Sequence, residues 1–139
     1  MPESEPFGAW DVIGGMRSAA KRPATVQRRR ALFLEAVSII DAEYHEKLAL
    51  DDIARRVATS RRQLQRAFAE AGETSFRSYL QKVRMERAAE LLRGGEARVN
   101  QVASAVGYRQ PAQFAKAFRR HHGAPPSTFR GPAPESLAA

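Results

Sequence analysis

The chain has 139 residues, enough for one compact domain or two very small ones. It contains no cysteine, so disulfides, thiolate metal sites and thiol catalysis are excluded, and no stretch approaches the roughly 20 apolar residues of a membrane span. Its formal charge is +8, all of it after residue 45, and arginine supplies 19 of the 23 cations; the planar guanidinium fork suits phosphates and guanine edges better than a lysine does.

Residues 1–29 hold three prolines, three glycines and scattered charge without a sustained period, and are expected to form a mobile tail or linker in which Phe7 and Trp10 are free to dock. Glu3 and Glu5, with no long apolar run behind them, argue against a secretory signal, so a cytoplasmic, membrane-free location is the simplest expectation. From Arg30 the pattern turns helical. Leu32, Ala36, Ile40 and Tyr44 recur every four residues, with Phe33 and Val37 alongside. Leu50, Ile53, Ala54 and Val57 follow the template of a second, shorter helix. Thr59 and Ser60 interrupt it, and Ser60 with Gln63 forms a capping-box pattern that starts a third helix near Arg61, running through Leu64 and Phe68. Gly72 to Thr74 breaks the chain.

Phe76, Tyr79, Leu80 and Val83, then Ala88, Leu91 and Leu92, mark a long helix of four to five turns that ends at Gly94 and Gly95. The pattern of Leu50–Leu80 then repeats over Val99–Arg130. Ile53, Ala54 and Val57 correspond to Val102, Ala103 and Val106 at an offset of 49, and Leu64, Phe68 and Tyr79 to Phe114, Phe118 and Phe129 at an offset of 50. The one-residue change falls between helices, where a turn absorbs it. Pro111 suits the first turn of the last full helix, and Gly123, Pro125 and Pro126 stop it. A short helical turn is expected to return Phe129 to the core.

Each repeat reads as a helix-turn-helix. Such a unit needs a small residue where its helices cross, a small residue four positions on at the turn, and apolar residues beyond. Ala54, Ala58, Leu64 and Phe68 supply these in the first unit, and Ala103, Gly107, Phe114 and Phe118 in the second. The fold class is therefore all-α, with about seven helices in two units joined by a long central helix. The units are placed at 30–75 and 94–130, the linker helix at 76–93, and a disordered tail at 131–139. With Leu64 and Phe68 facing inward, Arg61, Arg62, Gln65 and Arg66 fall on the outer side of the second helix. In the second unit Arg109, Gln110, Gln113 and Lys116 hold the corresponding face. Arginine can hold guanine O6 and N7 together, and glutamine adenine N6 and N7. Arg119 and Arg120 lie further along, where phosphates are the expected contact. Arg55 and Arg56 are as readily solvated surface charges.

With these residues in view, the chain resembles the DNA-binding domain of AraC/XylS-type bacterial transcription regulators over roughly Arg30 to Arg130. The most specific segment is Gly107-Tyr108, Phe114, Phe118-Arg119-Arg120, Gly123, Pro126 and Phe129-Arg130 at the family spacing, and Met85 to Leu92 is similar to the family's linker helix. The resemblance implies a sequence-specific transcription regulator that inserts two recognition helices into successive major-groove segments of double-stranded DNA, about one helical turn apart. It implies a nucleoid-associated protein without cofactor, metal or catalytic residue, bound as a monomer to an asymmetric site, with RNA polymerase as a candidate further partner. The chain departs from the family in four places. Ala49 and Arg98 stand where a capping serine is common, at an expected cost of about 1 kcal/mol each. Gly72 precedes Glu73, the position the family gives to glycine. Pro111 and Ala112 strip polar side chains from the start of the second recognition helix, so less discrimination is expected there. About 29 residues precede the match, too few for a ligand-binding domain, so the chain resembles a small stand-alone regulator or the DNA-binding part of a longer one.

Two other classes compete. A helical module with a basic face could meet an acidic protein partner. An enzyme fits poorly: His45, His121 and His122 are the only histidines, and neither a nucleophile elbow nor a glycine-rich phosphate loop is present. RNA binding lacks an open aromatic face, since the aromatics fall at buried positions.

Overall fold

The structure is a computed structural model that describes residues 23–132. Six α-helices follow in order: α1 Pro23–Glu43, α2 Leu50–Arg56, α3 Arg61–Ala71, α4 Phe76–Gly94, α5 Val99–Ala105 and α6 Pro111–His122. A 3-10 turn over Pro126–Phe129 completes the fold. No strand occurs among the described residues.

α1 begins seven residues before the expected start at Arg30. Residues 23–29 show no apolar stripe because that turn is mostly exposed, but alanine, glutamine and arginine are good helix formers. Pro23 stands at the first position, and Arg29 pairs with Glu70 of α3 to tie the extension down. Expectations for residues 1–22 lie outside the described residues, as do those for 133–139. Gly131 belongs to the ordered body: its N–H donates to the Leu92 carbonyl at 2.8 Å, across the end of α4.

Two apolar cores form, one per repeat. Leu32, Ala36, Ile40, Ile53, Ala54, Leu64, Ala67, Phe68 and Leu80 build the first, edged by Phe33, Phe76, Tyr79 and Val83. Met85, Ala88, Ala89, Leu92, Val102, Ala103, Val106, Phe114 and Phe118 build the second, edged by Phe129. α4 enters both. At about 100° per residue, its residues 76, 79, 80 and 83 and its residues 85, 88, 89 and 92 occupy opposite faces. The first half of the helix thus packs to one side and the second half to the other. The apolar residues that marked this helix in the sequence included Leu91 and not Met85, yet Leu91 is 41% exposed and Met85 is fully buried.

The helix starts follow local chemistry. Ser60 Oγ accepts the Gln63 N–H and Ser75 Oγ the Ser78 N–H, both at 3.1 Å. Ala49 offers no side-chain cap, but Asp51 and Asp52 place negative charge in the first turn of α2. Arg98 has no acceptor to offer, but its own N–H donates to Gln101 Oε1 at 2.7 Å, which replaces part of the missing cap. At the end of α3 the left-handed residue is Glu73, at φ 52°. Gly72 serves a different need: a Cβ there would come within 2.4 Å of the Phe33 ring.

Candidate nucleic-acid interface

Each helix-turn-helix turns at one left-handed residue, Ala58 at φ 58° and Gly107 at φ 97°. The next N–H then bonds back to the crossing alanine: Thr59 to the Ala54 carbonyl and Tyr108 to that of Ala103, both at 2.9 Å. The crossing alanines are buried, so α2 meets α3, and α5 meets α6, at close range. This geometry fixes which faces of α3 and α6 remain outside.

On α3, Leu64, Ala67 and Phe68 are buried, and Arg61, Arg62, Gln65 and Arg66 are all exposed. On α6, Phe114, Ala117 and Phe118 are buried, and Gln113, Lys116, Arg119 and Arg120 are exposed, as are Arg109 and Gln110 just before the helix. Of the ten, only Arg61 has an ion pair among the described residues, with Asp51 at 3.6 Å. Arg55 and Arg56 are engaged: Arg55 with Asp52, and Arg56 by a two-pronged bond to Glu43 at 2.8 and 2.7 Å. The Arg56 hydrogen bond holds the Glu43 carboxyl below its usual range. These two arginines staple α2 to itself and to α1.

Part of each outer face lines one of two clefts that share a wall. A cleft beside α3 is lined by Arg61 and Gln65, and a second beside α6 by Arg109, Gln110 and Gln113; both share Leu48, Leu80, Arg84 and Tyr108. Arg84 stands at the centre. From α4 its Nε donates to the Tyr44 carbonyl at 2.7 Å and its Nη2 to that of Glu46 at 2.9 Å. Its guanidinium also lies 5.9 Å from the Tyr108 ring centroid. One side chain thereby touches the loop of the first unit and the turn of the second. Gly107 accommodates it, since a Cβ there would lie 3.1 Å from both the guanidinium carbon and the His45 carbonyl oxygen. Sequence reading missed Arg84 because its neighbours come from segments about 20 to 40 residues away.

Among the described residues no cluster of three candidate metal ligands occurs. His121 and His122 lie in the last turn of α6. His122 Nε2 donates to the Met85 carbonyl at 2.9 Å, and its ring packs on Phe118 and Phe129. His121 does not show the raised pKa that the C-terminal end of a helix dipole favours. Burial, then the neighbouring His122, hold its pKa below the ordinary value. No helix of the described residues is long and apolar enough to cross a membrane.

Two helix-turn-helix units on one shared helix, each with an exposed cationic and amide face, define a double helix-turn-helix domain. Comparison with known proteins agrees. A helix-turn-helix domain family matches residues 53–131. The Msm operon regulatory protein of Streptococcus mutans is 31% identical over 101 residues, which are 73% of this chain and 36% of that protein. The crystal structure of an AraC-type DNA-binding-domain regulator from Chromobacterium violaceum superposes with a TM-score of 0.70 at 33% identity, covering 75% of this chain and 93% of that one. The DNA-binding domain of AdpA, crystallised with a target DNA, superposes with a TM-score of 0.66 at 28% identity over 70% of this chain and 88% of that one. The chain belongs to the AraC/XylS-type family of helix-turn-helix transcription regulators. It spans between 26% and 38% of the length of such curated relatives.

Proposed function

We propose that the chain binds a specific double-stranded DNA site, with α3 and α6 entering successive major-groove segments on one side of the duplex. The observation that carries this reading is the pair of exposed faces, Arg61, Arg62, Gln65 and Arg66 on one helix and Arg109, Gln110, Gln113 and Lys116 on or beside the other, of which Arg61, Gln65, Arg109, Gln110 and Gln113 line two clefts that share a wall. The two faces differ in side chains, so one copy reads an asymmetric site as a monomer. Arg119 and Arg120 meet phosphates. The protein acts by binding and not by catalysis, in the cytoplasm, and RNA polymerase is the further partner where the outcome is activation.

Selection from random duplexes at two salt concentrations tests the reading. Affinity should fall with salt with a log–log slope of about −0.9 per phosphate neutralised. Arg62→Ala and Arg66→Ala should each relax preference at one half of the selected site, by about 1–3 kcal/mol of discrimination. Arg120→Ala should weaken all sequences about equally. Loss of any duplex preference in the wild-type chain would favour the protein-interaction alternative instead.

A further inference from the structure

The cleft beside α3 is bounded on its other sides by the first half of α4 and by Arg120 of α6. Four arginines line it: Arg61, Arg77, Arg84 and Arg120, with the amides of Gln65 and Gln81 between them. No aspartate or glutamate does, although the chain carries 15. Arg77 and Arg120 are exposed and have no ion pair among the described residues. Asp51, which approaches Arg61, stands outside the cleft. A concave wall of one sign concentrates its field on whatever enters. The carboxylate-free lining spans both units, so it suits an extended polyanion better than a small acid.

We infer that this cleft seats the sugar–phosphate backbone of the duplex between the two major-groove segments, with Arg77 and Gln81 as contacts in addition to the reading helices. This rests on the DNA reading above. A backbone entering α3's groove at one end and α6's at the other must pass the segment of α4 that joins them. Contacts there carry no base information; they fix register and orientation. Arg77 was not among the residues singled out from the sequence, because position 77 shows nothing but a charged first-turn residue until the fold brings it into the same cleft as Arg120.

The test compares the duplex recovered by selection with the same duplex carrying neutral methylphosphonates in place of the phosphates between its half-sites. Binding of the full chain is measured over a salt series, for wild type and for Arg77→Ala. The neutral linkages should weaken wild-type binding severalfold. Arg77→Ala should weaken every sequence alike, flatten the salt slope by about 0.9 and lose most of its sensitivity to the neutral linkages. Arg77→Lys should restore the slope. Arg120→Ala is the second variant, from the opposite side of the cleft, and should behave like Arg77→Ala. The inference is overturned if both alanine variants keep the wild-type slope, or if neutral linkages between the half-sites are tolerated. A wild-type chain that selects no duplex would remove the DNA reading and this inference together; one that selects a duplex while the variants fail these expectations removes the cleft assignment alone.

Discussion

The two helix-turn-helix units solve one geometric problem with different residues. Both need a left-handed residue between their helices. The second supplies glycine at 107, where φ is 97°, and the first supplies Ala58 at 58°. Their supports differ as well. The first unit rests on the long α1, whose Phe33 meets Phe68 edge-on at 5.2 Å. The second has no such helix; Phe118 is covered by Phe129 at 5.0 Å from the 3-10 turn. Tyr79 and Phe129 correspond, but only Tyr79 carries a hydroxyl, which donates to Asp41 at 3.2 Å. Burial of that phenol, with Asp41 beside it, pushes its pKa up to about 12. The comparison teaches that the repeat conserves a backbone turn and a buried stripe, while the scaffolding behind each stripe is local.

The sharpest way to break the comparison is to exchange the turn residues. Gly107→Ala should cost about 2–3 kcal/mol, because φ of 97° strains any side chain and the new Cβ meets Arg84 and the His45 carbonyl. Thermal melting reads the loss. Next in size is Arg84→Ala, which abandons two carbonyl acceptors in the first unit and a ring in the second, for about 2 kcal/mol. Its distinctive effect should be on geometry. In a selection with half-sites separated by varied spacers, the variant should accept neighbouring spacings that the wild type rejects. An unchanged spacing profile with lowered stability would leave Arg84 as packing alone. Tyr108→Leu, which keeps both carbonyl bonds, should broaden the profile less.

Ala58→Gly should move the other way. Relieving left-handed strain outweighs the added freedom of the unfolded chain, so a gain of about 0.5–1 kcal/mol is expected in melting. A loss would show that the two turns are not equivalent. The smallest effect concerns His121, whose pKa is lowered in the folded state. Above the unfolded value near 6.5 the residue is neutral in both states and contributes nothing. As pH falls through that value the unfolded chain takes up the proton first, and stability declines. His122 and Lys82 add to the depression, and Glu86 opposes it. His121→Gln should therefore lose less stability than wild type between pH 7.5 and 5.5, with a larger share lost by wild type in melting curves run at both ends.

Much of the candidate interface's exposure was legible because an amphipathic helix declares its outer face by its inner one. Placing Leu64 and Phe68 inside forces Arg62, Gln65 and Arg66 outside, and all three are exposed. The same logic failed on α4. The residues marking that helix included the exposed Leu91 and left out the buried Met85, because the buried face switches sides midway where two separate cores claim the two halves. It also failed at the start of α1, where an exposed turn carries no apolar period to detect. The missing glycine after Gly72 looked like a shifted break, yet Glu73 simply adopts the left-handed conformation while Gly72 clears room for Phe33.

Local order is written along the chain: helix periods, caps, two turns and the residues left facing solvent are all consequences of contacts within a dozen positions. The meeting of distant segments came instead from the packing of whole helices, which set Arg84 to brace both units and brought Arg77 and Arg120 to the lining of one carboxylate-free cleft. The reason is physical. Periodicity records which face of a helix is buried, but the neighbour that buries it is chosen by how whole helices pack, and no single segment carries that information.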